Sequence, residues 1–249
     1  MRVNTQMLKS LNKYFFFFFA NVAVFCACNK TDFVTLSEDQ TEQYIIRQLE
    51  DTLVYEVNKA SKGTSSETDT TYDLQEIVNQ QVVSTDKIVN TLYRFSKATA
   101  AITYPVLPQA VWKSELSPFR YVKVEDNVRY VRLEFPLSQS KNWDGNDENI
   151  ENQEQYEVKW VGQPYALNDS VTFNETVYIS QKKIETISDT INFYEVYAKN
   201  VGLIEKFKDE RKYEIIETLI DTVDFTITYI TELESSSFFH QKLKTNATN

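Results

Sequence analysis

The sequence predicts a mainly β protein, with a large curved antiparallel sheet that is barrel-like or half-barrel and with little helix. Three observations support this prediction. Apolar and polar residues alternate along several segments, Thr, Val, Ile, Tyr and Phe are enriched in those segments, and short turn sequences separate them. Aromatic residues make up 14% of the chain, which suits a sheet that fills a wide concavity with large side chains.

Residues 1–27 are predicted to be a secretory signal peptide. Arg2, Lys9 and Lys13 precede a mostly apolar run from Tyr14 to Phe25, and no acidic residue comes before it. The run is shorter than the ~20 residues that a membrane-spanning helix needs. No later segment is apolar enough to span a bilayer, so we expect the rest of the chain to be exported.

The sequence Phe25-Cys26-Ala27-Cys28 resembles a bacterial lipobox. Because a small residue must precede the cleavage point, Ala27 selects Cys28 as the new N-terminus. The resemblance implies that Cys28 carries acyl chains such as palmitate, and each buried methylene strengthens such an anchor by about 0.8 kcal/mol. A disulfide between the two cysteines would be strained, since one residue separates them. The lipidated Cys and an acidic tether then occupy residues 28–42.

A single β-rich domain is predicted over residues 43–234, followed by a flexible tail over residues 235–249. Within the domain, Tyr156, Val158 and Trp160 are predicted to share one strand face, and Arg132 is predicted to lie opposite Val131. Most acidic residues fall on such outward faces or in turns. Two short helices are candidates, over Asp86–Phe95 and Asp209–Leu219, and the second segment also fits a strand.

The composition excludes several kinds of chemistry. The only histidine, His240, lies in the predicted tail, and Cys28 is blocked by lipid, so no Cys/His pair, zinc set or redox motif remains. The net charge of −10 disfavours nucleic acid as a partner. With four glycines, the chain has no Gly-rich phosphate loop. We therefore expect no catalytic residues, no metal and no cofactor, and predict that the protein is not an enzyme.

Several motifs resemble a family of Bacteroidota lipoproteins. They are, in order, VKVEDNVRYVRLEFPL, NWDGN, YEVKWVGQPYALNDSVTFNETVYI and YEVYAKNVGLIEKF, and the resemblance covers about residues 43–230. It implies a phylum, an outer-membrane address and a β-rich body, and no activity.

The Trp143-Asp144-Gly145-Asn146 motif is predicted to be a tight turn, with Gly145 at positive φ and the indole holding the loop. Tyr197-Ala198-Lys199 followed by Gly202 is predicted to end one strand and begin the next.

Five Asp-Ser/Thr-x triplets resemble the O-glycosylation signal of exported Bacteroidota proteins. The same triplets also suit a turn that enters a strand, since Asp and Thr favour turns and apolar residues favour strands. The predicted acceptors are Thr52, Thr70, Ser170, Thr190 and Thr222.

The sequence leaves three functions open for a protein anchored to the outer membrane. The first is a non-catalytic binding or structural role toward a glycan or an envelope protein. The second is a carrier of an apolar molecule in a curved-sheet cup. The third is a glycoside hydrolase with two carboxylates about 5–9.5 Å apart. Asn29-Lys30-Thr31-Asp32 resembles a surface-export tag in part, which favours the cell surface slightly over the periplasmic face.

Overall fold

The protein is described by a computed structural model for residues 43–45, 48–181, 184–220 and 227–247. These ranges contain thirteen β-strands and no helix. The strands are β1 (Thr52–Lys62), β2 (Glu67–Val83), β3 (Ile88–Ala98), β4 (Ala110–Leu116), β5 (Arg120–Glu125), β6 (Val128–Glu134), β7 (Asn142–Asp144), β8 (Gln155–Ala166), β9 (Thr172–Gln181), β10 (Ile184–Glu185), β11 (Asp189–Ala198), β12 (Gly202–Ile220) and β13 (Ile227–Ala247). The predicted fold class is therefore confirmed.

The strands form one antiparallel sheet that nearly closes into a barrel. Twelve of them follow the order β6-β5-β4-β3-β2-β1-β13-β12-β11-β9-β8-β7, and β10 pairs with β11 beside this path. The two ends of the path, β6 and β7, meet at a seam without a strand ladder. Across it the Val131 N–H donates to the carbonyl of Gly145 over 2.8 Å, and the Trp143 indole N–H donates to the carbonyl of Val131 over 2.9 Å.

Residues 235–247 form most of β13, so the predicted flexible tail is wrong for them. This strand lies in the middle of the sheet, where it pairs with β1 on one side and β12 on the other. The side chains of Gln241 and Leu243 are buried. Their spacing by two residues is the ordinary pattern of a strand, which the neighbouring polar residues obscure in the sequence.

Both predicted helices are also strands. Asp86–Phe95 lies mostly in β3, where Asn90 and Leu92 alternate with more exposed neighbours, and Asp209–Leu219 lies in β12. The distal parts of β12 and β13 pair with each other alone, beyond the last partners that β11 and β1 provide. This two-stranded ribbon exposes Ile215, Ile216, Leu219, Ile227, Tyr229, Ile230 and Leu233.

Two β-bulges change which side chains face the interior. A bulge between Val158 and Trp160 places Trp160 beside Tyr178 rather than on the face of Val158, contrary to the prediction. A second bulge lies in β6 itself, where Arg132 is the extra residue between the partners of Tyr121 and Val122 and is 5% exposed. Arg132 is thus a buried side chain, where alternation predicted an outward one.

Turns that the sequence predicted are present at two places. Asp126 and Asn127 both have positive φ, at 51° and 69°, and connect β5 to β6. Asn200 (φ 61°) and Gly202 (φ 96°) turn the chain from β11 into β12, as the Tyr197-Ala198-Lys199 motif predicted. These turns set the register of the strands that carry the interior charges.

Candidate functional site

The barrel encloses a cavity of about 530 Å³. Lys59, Gln109 and Asp126 in its wall are exposed to solvent, so the cavity opens at this end. The wall combines charged, polar and aromatic side chains. They are Lys59, Tyr72, Leu74, Arg94, Ser96, Gln109, Ala110, Trp112, Glu125, Asp126, Tyr130, Arg132, Glu154, Tyr156, Phe193, Lys206, Lys208, Phe239 and Gln241.

Two cations and two carboxylates form the first group of buried charges. Arg132 lies 3.1 Å from Glu125 and 3.9 Å from Glu195, and Lys206 lies 3.6 Å and 3.4 Å from the same two carboxylates. Lys206 of β12 is the direct cross-strand partner of Glu195 in β11. The sheet register therefore brings an opposite-charge pair together inside the barrel.

A second group of buried charges surrounds Glu76. Its carboxylate lies 3.5 Å from Arg94 and 3.5 Å from Lys123. The Arg94 guanidinium lies 3.5 Å from the ring centroid of Trp112, within the range of a cation–π contact. Strands β2, β3 and β5 supply Glu76, Arg94 and Lys123 respectively, and β4 lies between β3 and β5 in the sheet. The prediction that acidic residues lie on outward faces is therefore wrong for Glu76, and also for Glu195, which is 1% exposed.

Electrostatics keeps Glu125 ionised. Burial opposes its ionisation, but the positive charges of Arg132 and Lys206 outweigh burial and hold the pKa of Glu125 well below its usual range. Burial lowers the pKa of Lys206, and the neighbouring Arg132 lowers it further, although Glu125 and Glu195 oppose this shift. The site thus holds an ionised carboxylate beside an amine whose pKa is lowered.

Two buried tyrosines orient the carboxylates around this cluster. The Tyr197 hydroxyl donates to Glu195 over 2.5 Å, and the Tyr156 hydroxyl donates to Glu154 over 2.6 Å. The Arg132 guanidinium also donates to the Tyr156 hydroxyl over 3.4 Å. Burial raises the pKa of both Tyr156 and Tyr197, so both stay neutral hydrogen-bond donors near pH 7.

A row of aromatic rings crosses the opposite, outer face of the sheet. Phe193, Lys206 and Gln241 line the cavity, so the residues next to them along each strand point outward. Tyr178 and Tyr194 stack at 5.1 Å, and Tyr194 and Phe207 stack at 5.0 Å. The members of this outer aromatic row are Trp160, Tyr178, Tyr194, Phe207 and His240.

The outer aromatic row is held by Glu205. Its carboxylate accepts hydrogen bonds from Tyr165 and Tyr194, and the Nε2 atom of His240 lies 2.7 Å from it. His240 is therefore part of a sheet, not of a tail. Because the rings cover one another's faces, they stabilise the sheet and leave little free ring surface on which a sugar could stack.

The structure does not bring together the residues that the sequence predicted to be lipidated or O-glycosylated. Cys28 and Thr222 lie outside the described residues. Thr70 and Ser170 are exposed, whereas Thr52 and Thr190 are half-buried within strands. O-glycosylation at these positions stays a prediction.

Among the described residues, no group of three or more His, Cys, Asp or Glu side chains is placed to hold a metal ion. The same residues include no helix that is long and apolar enough to cross a membrane.

Sequence reasoning missed the residues that make the cavity. Arg132 and Lys206 occupy polar positions of alternating strands, which normally face water. Sequence alternation separates the two faces of a strand, but it does not show that one polar face encloses a chamber. One sequence signal could have shown that Glu195 and Lys206 face each other. They lie at similar distances before and after the Asn200–Gly202 turn, as cross-strand partners in a hairpin do.

No family model and no curated protein matches this sequence. Among solved structures, the chain is similar to a Bacteroides fragilis protein assigned as an exported protein with a YmcC-like fold, with 13% identity and a TM-score of 0.41, over 82% of this chain and 98% of that one. It is also similar to a Parabacteroides distasonis protein assigned as a lipoprotein, with 10% identity and a TM-score of 0.37, over 81% and 98% of the two chains. A likeness this distant carries no argument about function.

Proposed function

We propose that this protein is a lipid-anchored component of the bacterial cell envelope that binds a small ligand in its interior cavity without changing it chemically. The lipobox around Cys28 supports the anchor. The observation that carries the binding role is the cavity of about 530 Å³, which lies within the ~300–1,000 Å³ range of small-molecule sites. The outer membrane is the proposed location, with the cell surface slightly favoured over the periplasmic face.

The buried charges favour a binding role over a structural one. Taking ions out of water is costly even when they are paired, and apolar side chains of similar volume often give a more stable core. A barrel that only had to be stable would therefore fill its interior with apolar side chains. The polar interior that Arg132, Glu195 and Lys206 form supports a site for a polar partner, such as a glycan fragment.

The same charges argue against a glycoside hydrolase. That reaction needs one carboxylic acid that is still protonated near neutral pH. Glu125 is the wall carboxylate that lies among the basic side chains, and Arg132 and Lys206 keep its pKa low although burial opposes its ionisation. Glu125 is therefore a poor proton donor, which supports a non-catalytic role.

A carrier of an apolar molecule is the second candidate, because six aromatic side chains line the cavity. They are Tyr72, Trp112, Tyr130, Tyr156, Phe193 and Phe239. An apolar ligand would, however, remove water from the charged groups in the same wall without replacing their hydrogen bonds. The charged lining therefore favours a polar ligand.

The test is native mass spectrometry of the full chain, extracted from membranes in a non-ionic detergent. The probes are D-glucose, D-glucuronate, D-glucose 6-phosphate and palmitate. We expect at least one of them to form a non-covalent adduct with the wild type. The adduct should disappear in Ser96→Trp, which fills the cavity from its wall, and persist in the control Thr71→Trp on the outer face of β2.

Two results would contradict the proposed function. One is the absence of an adduct with all four probes, and the other is an adduct that survives in Ser96→Trp.

The covalent mass from the same spectra tests the anchor, since a chain that begins at Cys28 must carry acyl chains. Chromogenic glycosides incubated with the protein should release no product above a no-enzyme blank.

A further inference from the structure

We infer that the cavity takes a hydroxylated organic anion, of the class of sugar acids and sugar phosphates, whose anionic group is bound by the basic side chains of the wall, with Arg132 and Lys206 foremost. This inference rests on the proposed function and names the class of ligand.

The charge of the cavity differs in sign from the charge of the chain. The wall contains five basic and three acidic side chains, whereas the whole protein has a net charge of −10. The two buried charge clusters, which share Arg94, Arg132, Lys206 and Glu125 with this wall, contain one more cation than carboxylates. The members are Arg94, Lys123, Arg132 and Lys206 against Glu76, Glu125 and Glu195. A buried excess of positive charge is unfavourable, and a bound anion removes it.

Two buried donors in the wall point to the same class of ligand. The Nε atoms of Arg94 and Arg132 are buried and make no hydrogen bond within the described part of the chain, although the Glu76 carboxylate lies 3.5 Å from Nε of Arg94. A buried donor without an acceptor is unfavourable. Arginine binds carboxylate and phosphate groups through several N–H donors at once, so an anionic oxygen group satisfies these atoms best.

Lys206 lies in the same cavity wall and agrees with the inference. Burial and the positive charge of Arg132 both lower its pKa, and the carboxylates of Glu125 and Glu195 compensate for this only in part. A bound anion would add the missing negative charge and favour the protonated amine.

Hydroxyl groups on the ligand are indicated by Glu125. Its Oε1 atom is buried and accepts no hydrogen bond from the described residues, although Arg132 lies 3.1 Å away with poor geometry. A carboxylate whose pKa is this low only accepts hydrogen bonds, so its complement is a donor such as a hydroxyl. The aromatic rings of Tyr130 and Phe193 in the same wall provide apolar surface for a sugar ring.

The experiment is isothermal titration calorimetry of the full chain in non-ionic detergent, with D-glucuronate, D-glucose 6-phosphate and D-glucose as ligands. These probes share a sugar ring and differ in the anionic group. We expect at least one of the two anions to bind 10-fold or more tighter than glucose. Arg132→Gln should weaken that binding by roughly 10- to 100-fold, as the loss of a charge-assisted hydrogen bond does. Arg129→Gln, at a guanidinium that pairs with Glu115 and Glu148 and is not part of the cavity wall, should leave it unchanged.

If Arg132→Gln does not fold, a measurement on the wild type alone still tests the inference. Raising NaCl from 50 to 500 mM should then weaken binding of the anion and leave binding of glucose unaffected. A preference for glucuronate identifies a carboxylate, and a preference for glucose 6-phosphate identifies a phosphate. Equal binding of glucose and both anions, or an adduct with palmitate alone in the native mass spectra, would overturn the inference and leave the proposed function standing. Failure of every probe would overturn both.

Discussion

The ring of Tyr156 occupies the space in which a side chain at position 145 would stand. A Cβ atom added to Gly145 would lie 1.9 Å from Cε2 of Tyr156, which is itself 1% exposed. The chain does turn at residues 145–148, as predicted, but the φ angle of Gly145 is not positive, so that part of the prediction is wrong. Glycine is needed here because an aromatic ring packs against the backbone that accepts the hydrogen bond from Val131 across the seam.

Gly145→Ala should therefore destabilise the barrel. The new methyl group would force the buried ring of Tyr156 away, and overpacking of this kind costs about 1–3 kcal/mol. Urea denaturation measures the loss. Gly63→Ala is the matched control, because a Cβ at Gly63 would meet nothing closer than 3.8 Å. Equal stability of the two variants would show that the seam tolerates a side chain.

Trp143→Phe should weaken the seam by removing one hydrogen bond. The indole is 4% exposed and donates to the carbonyl of Val131. The substitution leaves that buried carbonyl without this donor, at a cost of about 1–3 kcal/mol. The control Trp112→Phe loses an exposed bond of 3.3 Å to Asp126 and keeps an aromatic ring beside Arg94, so it should cost less than Trp143→Phe.

Leu243→Ala distinguishes a central strand from a flexible tail. Leu243 is 6% exposed and lies opposite Tyr55 in the β1–β13 pair. Removing its side chain should lower the free energy of unfolding by about 2–5 kcal/mol. Leu233→Ala, in the exposed ribbon of the same strand, should have a small effect. If both variants unfold at the wild-type urea concentration, residues near 243 do not belong to the core.

Glu125 should contribute to stability in a pH-dependent way. Its pKa is depressed in the folded state relative to the usual ~4.3 of an unfolded chain. The stabilisation is therefore fully present above about pH 5 and is lost as the pH falls toward the folded pKa. The difference in unfolding free energy between wild type and Glu125→Gln should be largest at pH 7 and smaller at pH 3.5. The exposed Glu151→Gln variant should have the wild-type unfolding free energy at both pH values. A difference between wild type and Glu125→Gln that grows toward pH 3.5 would refute the prediction.

The sequence predicted the fold class because alternation is a local property. Val177 and Ile179 are two residues apart in β9 and both are completely buried, as their spacing predicts. The Asn200–Gly202 turn was also readable, since Asn and Gly accept positive φ. Such features depend on a few neighbouring residues, and the sheet confirms them.

The site was harder to predict because it depends on closure of the sheet. The burial of Arg132 depends on the meeting of β6 and β7 and on a bulge in β6 at Arg132 itself. Trp160 changes face through another bulge, which one sequence does not reveal. The polar residues of β13 resembled a tail because their partners in β1 are almost 200 positions earlier in the chain. Long-range pairing, and not local pattern, decides these cases.

The central claim is that the barrel contains an open, positively charged cavity, and thiol labelling of Ser96→Cys tests it most directly. The membrane-extracted variant is treated with anionic and cationic methanethiosulfonates, and Thr71→Cys on the outer face corrects for intrinsic reactivity. We predict that the anionic reagent reacts several-fold faster at position 96 than the cationic one, with a ratio that falls as salt is added. A faster cationic reagent, or no reaction with either, would contradict the account.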